Sequence, residues 1–168
     1  ANTNGYRNLA IGVSSLYTNT SGYENIAMGT ASLYQNTLGY RNIGIGVSSL
    51  YTNTSGFQNV AVGRWNLFKN ATGSENCSVG FQSLYNNTTG SNNSVLGNKA
   101  GLNNTDGSGN TFIGANTNIT PTNATWTNST ALGYGAIITG SNQVILGNNT
   151  INSFRSINLT SHHIKFFK

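Results

Sequence analysis

Charge is scarce in this chain. Only 7% of its 168 residues are charged, eight basic against three acidic, for a net charge of +5. A basic excess can mark a nucleic-acid partner. Here the basic side chains are dispersed, at Arg7, Arg41, Arg64, Lys69, Lys99, Arg155, Lys165 and Lys168, with no basic run. No nucleic-acid partner is therefore expected. Cysteine is reduced to Cys77 and proline to Pro121, and one cysteine permits no intrachain disulfide. No apolar run is long enough to cross a bilayer, so membrane insertion is not expected either. The first residue is Ala1 rather than Met, and the chain opens mid-repeat, as a processed or truncated polypeptide would.

Carboxylates are the scarcest chemistry. Glu24, Glu75 and Asp106 are all there are. Glu24 and Glu75 would lie three coils apart, about 14 Å at ~4.8 Å per coil, which suits neither a retaining nor an inverting glycosidase pair. The sole Asp within the repeats has no accompanying nucleophile motif, so no Ser-His-Asp set can be assembled. Asp106-Gly-Ser-Gly-Asn has too few carboxylates for a calcium loop. His162 and His163 are a candidate metal pair only if three copies meet on an axis. Adjacent residues of one strand point to opposite faces, and the alternative is a polar tail. The expectation is a protein that is not an enzyme and needs no cofactor.

What the chain has in abundance is period. Gly12, Gly29, Gly46, Gly63, Gly80, Gly97 and Gly114 fall 17 residues apart, and Asn8, Asn25, Asn42, Asn59, Asn76, Asn93 and Asn110 keep the same step four residues earlier. A fixed short period means one structural unit stacked on itself. Glycine recurring twice per 17 residues, with Asn, Thr and Ser between, disfavours helix. The fold class expected is all-β, a parallel β-roll or solenoid of 17-residue coils. Residues 1–119 hold seven coils. Residues 120–128, with Pro121 and Trp126, read as an inserted loop. Residues 129–147 form two divergent coils, where the glycine spacing becomes 19 and then 14, and residues 148–168 a non-repeating tail.

Within a coil, Leu9-Ala10-Ile11 and its counterparts alternate large, small, large. The large columns, Leu9, Ile26, Ile43, Val60 and Ile11, Met28, Ile45, Val62, Val79, Leu96, Ile113, are expected to point inward together. Cys77 falls in the first of these and reads as a core residue. The small column, Ala10, Ala27, Gly44, Ala61 and Ser78, would then face a close neighbour, another chain. A second short strand is expected at Leu16-Tyr17, Leu33-Tyr34, Leu50-Tyr51, Leu67-Phe68 and Leu84-Tyr85. The Gly12 column should take backbone angles closed to other residues. The Asn8 and Asn19 columns should form side-chain ladders or bond to turn backbone. Along Arg7, Glu24, Arg41, Gln58 and Glu75, opposite charges should stack between coils.

A coil with two short strands encloses little and is expected to leave a face open, which association around an axis would bury. At this point the motifs resemble a known family. Asn-Leu-Ala-Ile-Gly (8–12), Asn-Ile-Ala-Met-Gly (25–29), Asn-Val-Ala-Val-Gly (59–63) and Ser-Thr-Ala-Leu-Gly (129–133) resemble the head repeats of YadA-like trimeric autotransporter adhesins. The Leu-Tyr-x-Asn-Thr-x-Gly ending is similar to repeats of phage and giant-virus tail fibres that precede an endosialidase-type intramolecular chaperone. That resemblance implies a left-handed, homotrimeric roll, extracellular on a cell or virion surface. It implies a fibre head or shaft that attaches to a surface, through a cell-surface glycan or protein receptor.

The candidate contact surface is the aromatic column Tyr6, Tyr23, Tyr40 and Phe57. An alternative is a self-assembling structural filament stacked head to tail, with Ile157, Leu159, Ile164, Phe166 and Phe167 of the tail docking on the first coil of the next subunit. A minor alternative is an ice-binding solenoid, motivated by the ladder Thr20, Thr37, Thr54, Thr88, Thr105 and Thr122. Thirteen Asn-x-Ser/Thr sequons, among them Asn19, Asn70, Asn87, Asn118, Asn123 and Asn158, read as a by-product of composition.

Overall fold

The computed structural model of this chain describes residues 3–120 and 125–151. Glycine and β-branched residues at a fixed step give short strands separated by corners, and the strands stack. They are β1 (Leu9–Ile11), β2 (Ile26–Met28), β3 (Ile43–Ile45), β4 (Val60–Val62), β5 (Cys77–Val79), β6 (Ser94–Leu96), β7 (Thr111–Ile113), β8 (Asn118–Ile119), β9 (Thr130–Leu132), β10 (Ile137–Ile138) and β11 (Val144–Leu146). Nine of them form one parallel sheet in the order β1-β2-β3-β4-β5-β6-β7-β9-β11, and β8 pairs with β10 in a second wall. The architecture is a parallel β-solenoid of about eight coils, with no helix among the described residues.

Register is strict. Each residue pairs with its equivalent one repeat on, as in Ala27↔Gly44 and Val60↔Cys77. The irregular spacings leave this intact, since Thr111 pairs with Thr130 and Thr130 with Val144. The long sheet thus keeps its register on either side of positions 121–124.

The inward and outward faces are the reverse of the sequence expectation. In β2 to β5 and in β9 the middle, small residue is buried and its larger neighbours are turned outward, as in Ala27, Ala61 and Ala131, while Val95 and Phe112 hold the same inward place in β6 and β7. The buried column opposite is Leu16, Leu33, Leu50, Leu67 and Leu84. The two walls lie so close that one small and one large side chain fill the space between them. From Ala27 to Ser78 the small column therefore closes the chain's own core, while Ala10 is exposed. Cys77 moves with its column and is exposed.

The second strand is also corrected. Over the first five coils the Leu-Tyr segment is a turn, because its leucines are left-handed, with φ from 48° to 52°. Gly101 keeps the left-handed turn, with φ 63°, and only from Asn118 does the wall become a strand, at β8 and β10, with Ile119 and Ile138 inward.

Two asparagine ladders hold the corners. Asn59 Nδ2 donates to Asn42 Oδ1 (3.1 Å) and to the Gly73 carbonyl (2.9 Å), while the Asn59 backbone N–H donates to the same Asn42 Oδ1 (3.0 Å). In the other ladder Asn53 Nδ2 donates to Asn36 Oδ1 (2.8 Å) and the Gly56 carbonyl (3.0 Å). Buried amides satisfied this way cost little to enclose, whereas orphaned ones cost about 1–3 kcal/mol each. The first ladder ends where Ser129 N–H donates to Asn110 Oδ1 (3.0 Å). The Gly12 column has φ of 127° to 144° from Gly12 to Gly114, as the sequence implies. A Cβ on Gly46 would sit 2.6 Å from the Gly63 carbonyl oxygen, so backbone passes over backbone there.

Candidate functional site, an outward apolar face

Turning the large residues outward gives the long sheet an apolar exterior. Ile11, Met28, Ile45, Val62, Val79, Leu96, Ile113, Leu132 and Leu146 lie in one column on this face. Most are exposed, Ile11 to 51% and Leu96 to 53%. Beside it runs Leu9, Ile26, Ile43 and Val60, which turns polar at Cys77, Ser94, Thr111 and Thr130 before Val144. Nine rungs at about 4.8 Å give a stripe about 40 Å long. A contiguous apolar stripe of that length is the mark of an interaction site.

The candidate aromatic column forms a continuous stack. Ring centroids of Tyr6, Tyr23, Tyr40 and Phe57 are 5.0, 4.9 and 5.0 Å apart, with planes within 4° of parallel. Each ring covers the face of the next, so rings within the stack offer edges and hydroxyls outward. A sugar laid flat on an aromatic face is not the mode these rings offer. A second stack, Tyr17, Tyr34, Tyr51, Phe68 and Tyr85 at 4.9–5.1 Å, joins residues that the sequence reading placed in a strand and did not read as an aromatic stack. The signal for it was the same 17-residue step. Arg64 lies 3.9 Å over the Trp65 ring, which tilts against Phe81.

Charge is used for register. Glu24 Oε1 accepts from Arg7 Nη1 (3.1 Å) and Oε2 from Arg41 Nε (2.8 Å), one coil to either side. These hydrogen bonds, Arg41 foremost, hold the Glu24 carboxyl below its usual pKa. Asp106 accepts from the hydroxyls of Thr88, Thr89 and Thr105, and the first two lower its pKa most. Neither carboxylate is placed against a second one. Among the described residues no three His, Cys, Asp or Glu side chains come together. His162 and His163, and the docking set Ile157, Leu159, Ile164, Phe166 and Phe167, lie outside the described residues.

The threonine ladder is committed to the wall. The hydroxyls of Thr20, Thr37 and Thr54 donate to the carbonyls of Thr37, Thr54 and Ala71, and that of Thr88 to Asp106, while Thr122 lies outside the described residues. Their O–H donors are thus committed within the roll, and their lone pairs remain as acceptors. No helix among the described residues is long and apolar enough to cross a membrane. No protein-family model and no curated protein matches this sequence, so the surfaces themselves carry the functional argument.

Proposed function

We propose that this chain is a non-enzymatic, extracellular fibre protein, a head or shaft segment of a left-handed trimeric roll that attaches to a surface or receptor. The observation that supports it is the outward apolar face. A sheet that turns Ile, Met, Val and Leu to water along about 40 Å gains by covering them, at about 25 cal/mol per Å² of apolar surface. Three rolls around an axis cover all three faces at once and leave the aromatic stacks on the outside as the contact surface. A rod with no cluster of catalytic groups among its described residues, and with its polar side chains committed to stacking, suits a spacer or head better than a reaction vessel.

Light scattering on the purified chain tests the assembly. The expected mass at micromolar concentration is that of three chains. Ile45→Lys with Leu96→Lys, both outside the core, should give monomers whose circular dichroism is unchanged. A short bis-maleimide should crosslink the wild type through Cys77, which shares the face. A monodisperse wild-type monomer refutes the trimer.

A further inference from the structure

The sequons, a by-product of composition in the sequence, become a constraint once the wall is seen. Asn19, Asn53, Asn70, Asn76 and Asn87 each head an Asn-x-Ser/Thr sequon, and each is essentially inaccessible in the roll. Their amide nitrogens are occupied. Asn53, Asn70 and Asn87 Nδ2 each donate to the ladder asparagine one coil earlier (2.8–2.9 Å) and to the glycine carbonyl three residues on (2.9–3.0 Å). Asn76 Nδ2 donates to Asn59 Oδ1 and the Gly90 carbonyl. There is also no room. A single Cβ added at Gly73 would lie 2.4 Å from Asn70 Oδ1 and 2.9 Å from Asn87 Nδ2.

N-glycosylation replaces one of those two N–H bonds. The amide nitrogen bonds to the anomeric carbon of the sugar, loses a proton, and the lipid pyrophosphate of the oligosaccharide donor leaves. A ladder asparagine so modified loses a hydrogen bond and must hold a sugar where a methyl does not fit. We propose that the roll and N-glycosylation of its ladder asparagines are mutually exclusive, so that the chain folds only where the nascent polypeptide meets no N-glycosylating enzyme. Its route to the outside therefore begins in a cell or compartment without that modification. The constraint holds whether or not three rolls associate.

The wall itself supplies the test variant. Ser21, Ser55, Thr72, Ser78 and Thr89 complete the five sequons without belonging to either asparagine ladder. Ser78→Ala installs the residue found in its column at Ala27 and Ala61. The full chain and the S21A/S55A/T72A/S78A/T89A variant are directed into the secretory pathway of a eukaryotic cell. Both keep the sequon of exposed Asn92, so glycan transfer can be scored on either.

The parent should give at least tenfold less protease-resistant β-roll than the variant, with glycans on ladder asparagines by mass spectrometry. Blocking synthesis of the lipid-linked oligosaccharide should restore it. A parent that folds with glycans on Asn53 or Asn70 overturns the proposal. So does a parent whose ladder asparagines escape modification and which folds as well as the variant. A parent not restored by the block overturns it as well.

Discussion

One methyl group is enough to break this wall at chosen positions. Gly46 has φ 128°, and a Cβ there would collide with the Gly63 backbone. Gly46→Ala should cost about 3 kcal/mol or more, from strain and overpacking together. At Gly140 an added Cβ meets only the end of the Gln143 side chain, and Gly140→Ala should be near neutral. Urea unfolding of the two variants measures the contrast. Asn59→Ala removes two donated bonds and leaves the Asn76 backbone N–H without its acceptor, while Asn76 Nδ2 keeps only the Gly90 carbonyl. The expected loss is about 2–4 kcal/mol, against under about 0.5 for exposed Asn98→Ala.

Glu24 gives the pH dependence at this scale. Its folded pKa is depressed, so its contribution is present above the unfolded value near 4.5 and is lost as pH falls through the folded value. Glu24→Gln should flatten that part of an acid titration of stability. At this exposed site the effect is small and should vanish in high salt. An unchanged acid limb in Glu24→Gln at low salt would show that the two arginines contribute nothing there.

Within a coil, the informative exchange is between the two walls. The inward strand position runs Ala61, Ser78, Val95, Phe112, growing as the leucine opposite gives way to Gly101. A Cβ on Gly101 would meet Leu84 at 3.0 Å and the Phe112 ring at 3.1 Å, so the ring occupies the space a leucine would need. Gly101→Leu should cost about 1–3 kcal/mol by overpacking. Combined with Phe112→Ala it should recover most of that, a coupling that a double-mutant cycle reads directly.

The same exchange explains what the sequence could and could not tell. Coil length, the position and register of the first strand and both asparagine ladders were legible, because a constant step permits no slip, whereas the second strand was not. Which face points inward was not. Large-small-large alternation fixes two faces but not which is the core. The decision lay in the separation of the walls, set by left-handed leucines that no propensity favours. Left-handed φ costs about 1–2 kcal/mol per non-glycine residue. It is held here by bonds to the next coil, such as Leu33 N–H to the Ser49 carbonyl at 2.9 Å. Cys77 was misplaced for the same reason. The outward apolar face, the main candidate surface, became visible only once the inward side was known.

For the whole molecule, each coil contacts only its neighbours, so stability is a chain of nearest-neighbour terms. Amide exchange should be slowest in the central coils, around Asn59 and Asn76, and fastest at both ends. A uniform exchange rate from Leu9 to Leu146 would mean that the rod opens as one unit, with no fraying. Face variants that release monomers should speed exchange at the ends most, where fewest coils support the wall.

The hydrogen bonds between coils, Leu9 N–H to the Asn25 carbonyl and its counterparts, connect successive rungs. A rod pulled from its two ends therefore carries the load on one rung after another, like stitches in series. Each stitch that gives frees one 17-residue coil. Released chain of that length extends by roughly 50–55 Å beyond the rung spacing it replaces. A single roll held in an optical trap should lengthen in even steps of about that size, at similar forces until the insertion after residue 120 is reached. Such a tether would yield under a sudden tug by paying out chain while its remaining coils stay intact, a shock absorber built from nothing but repetition.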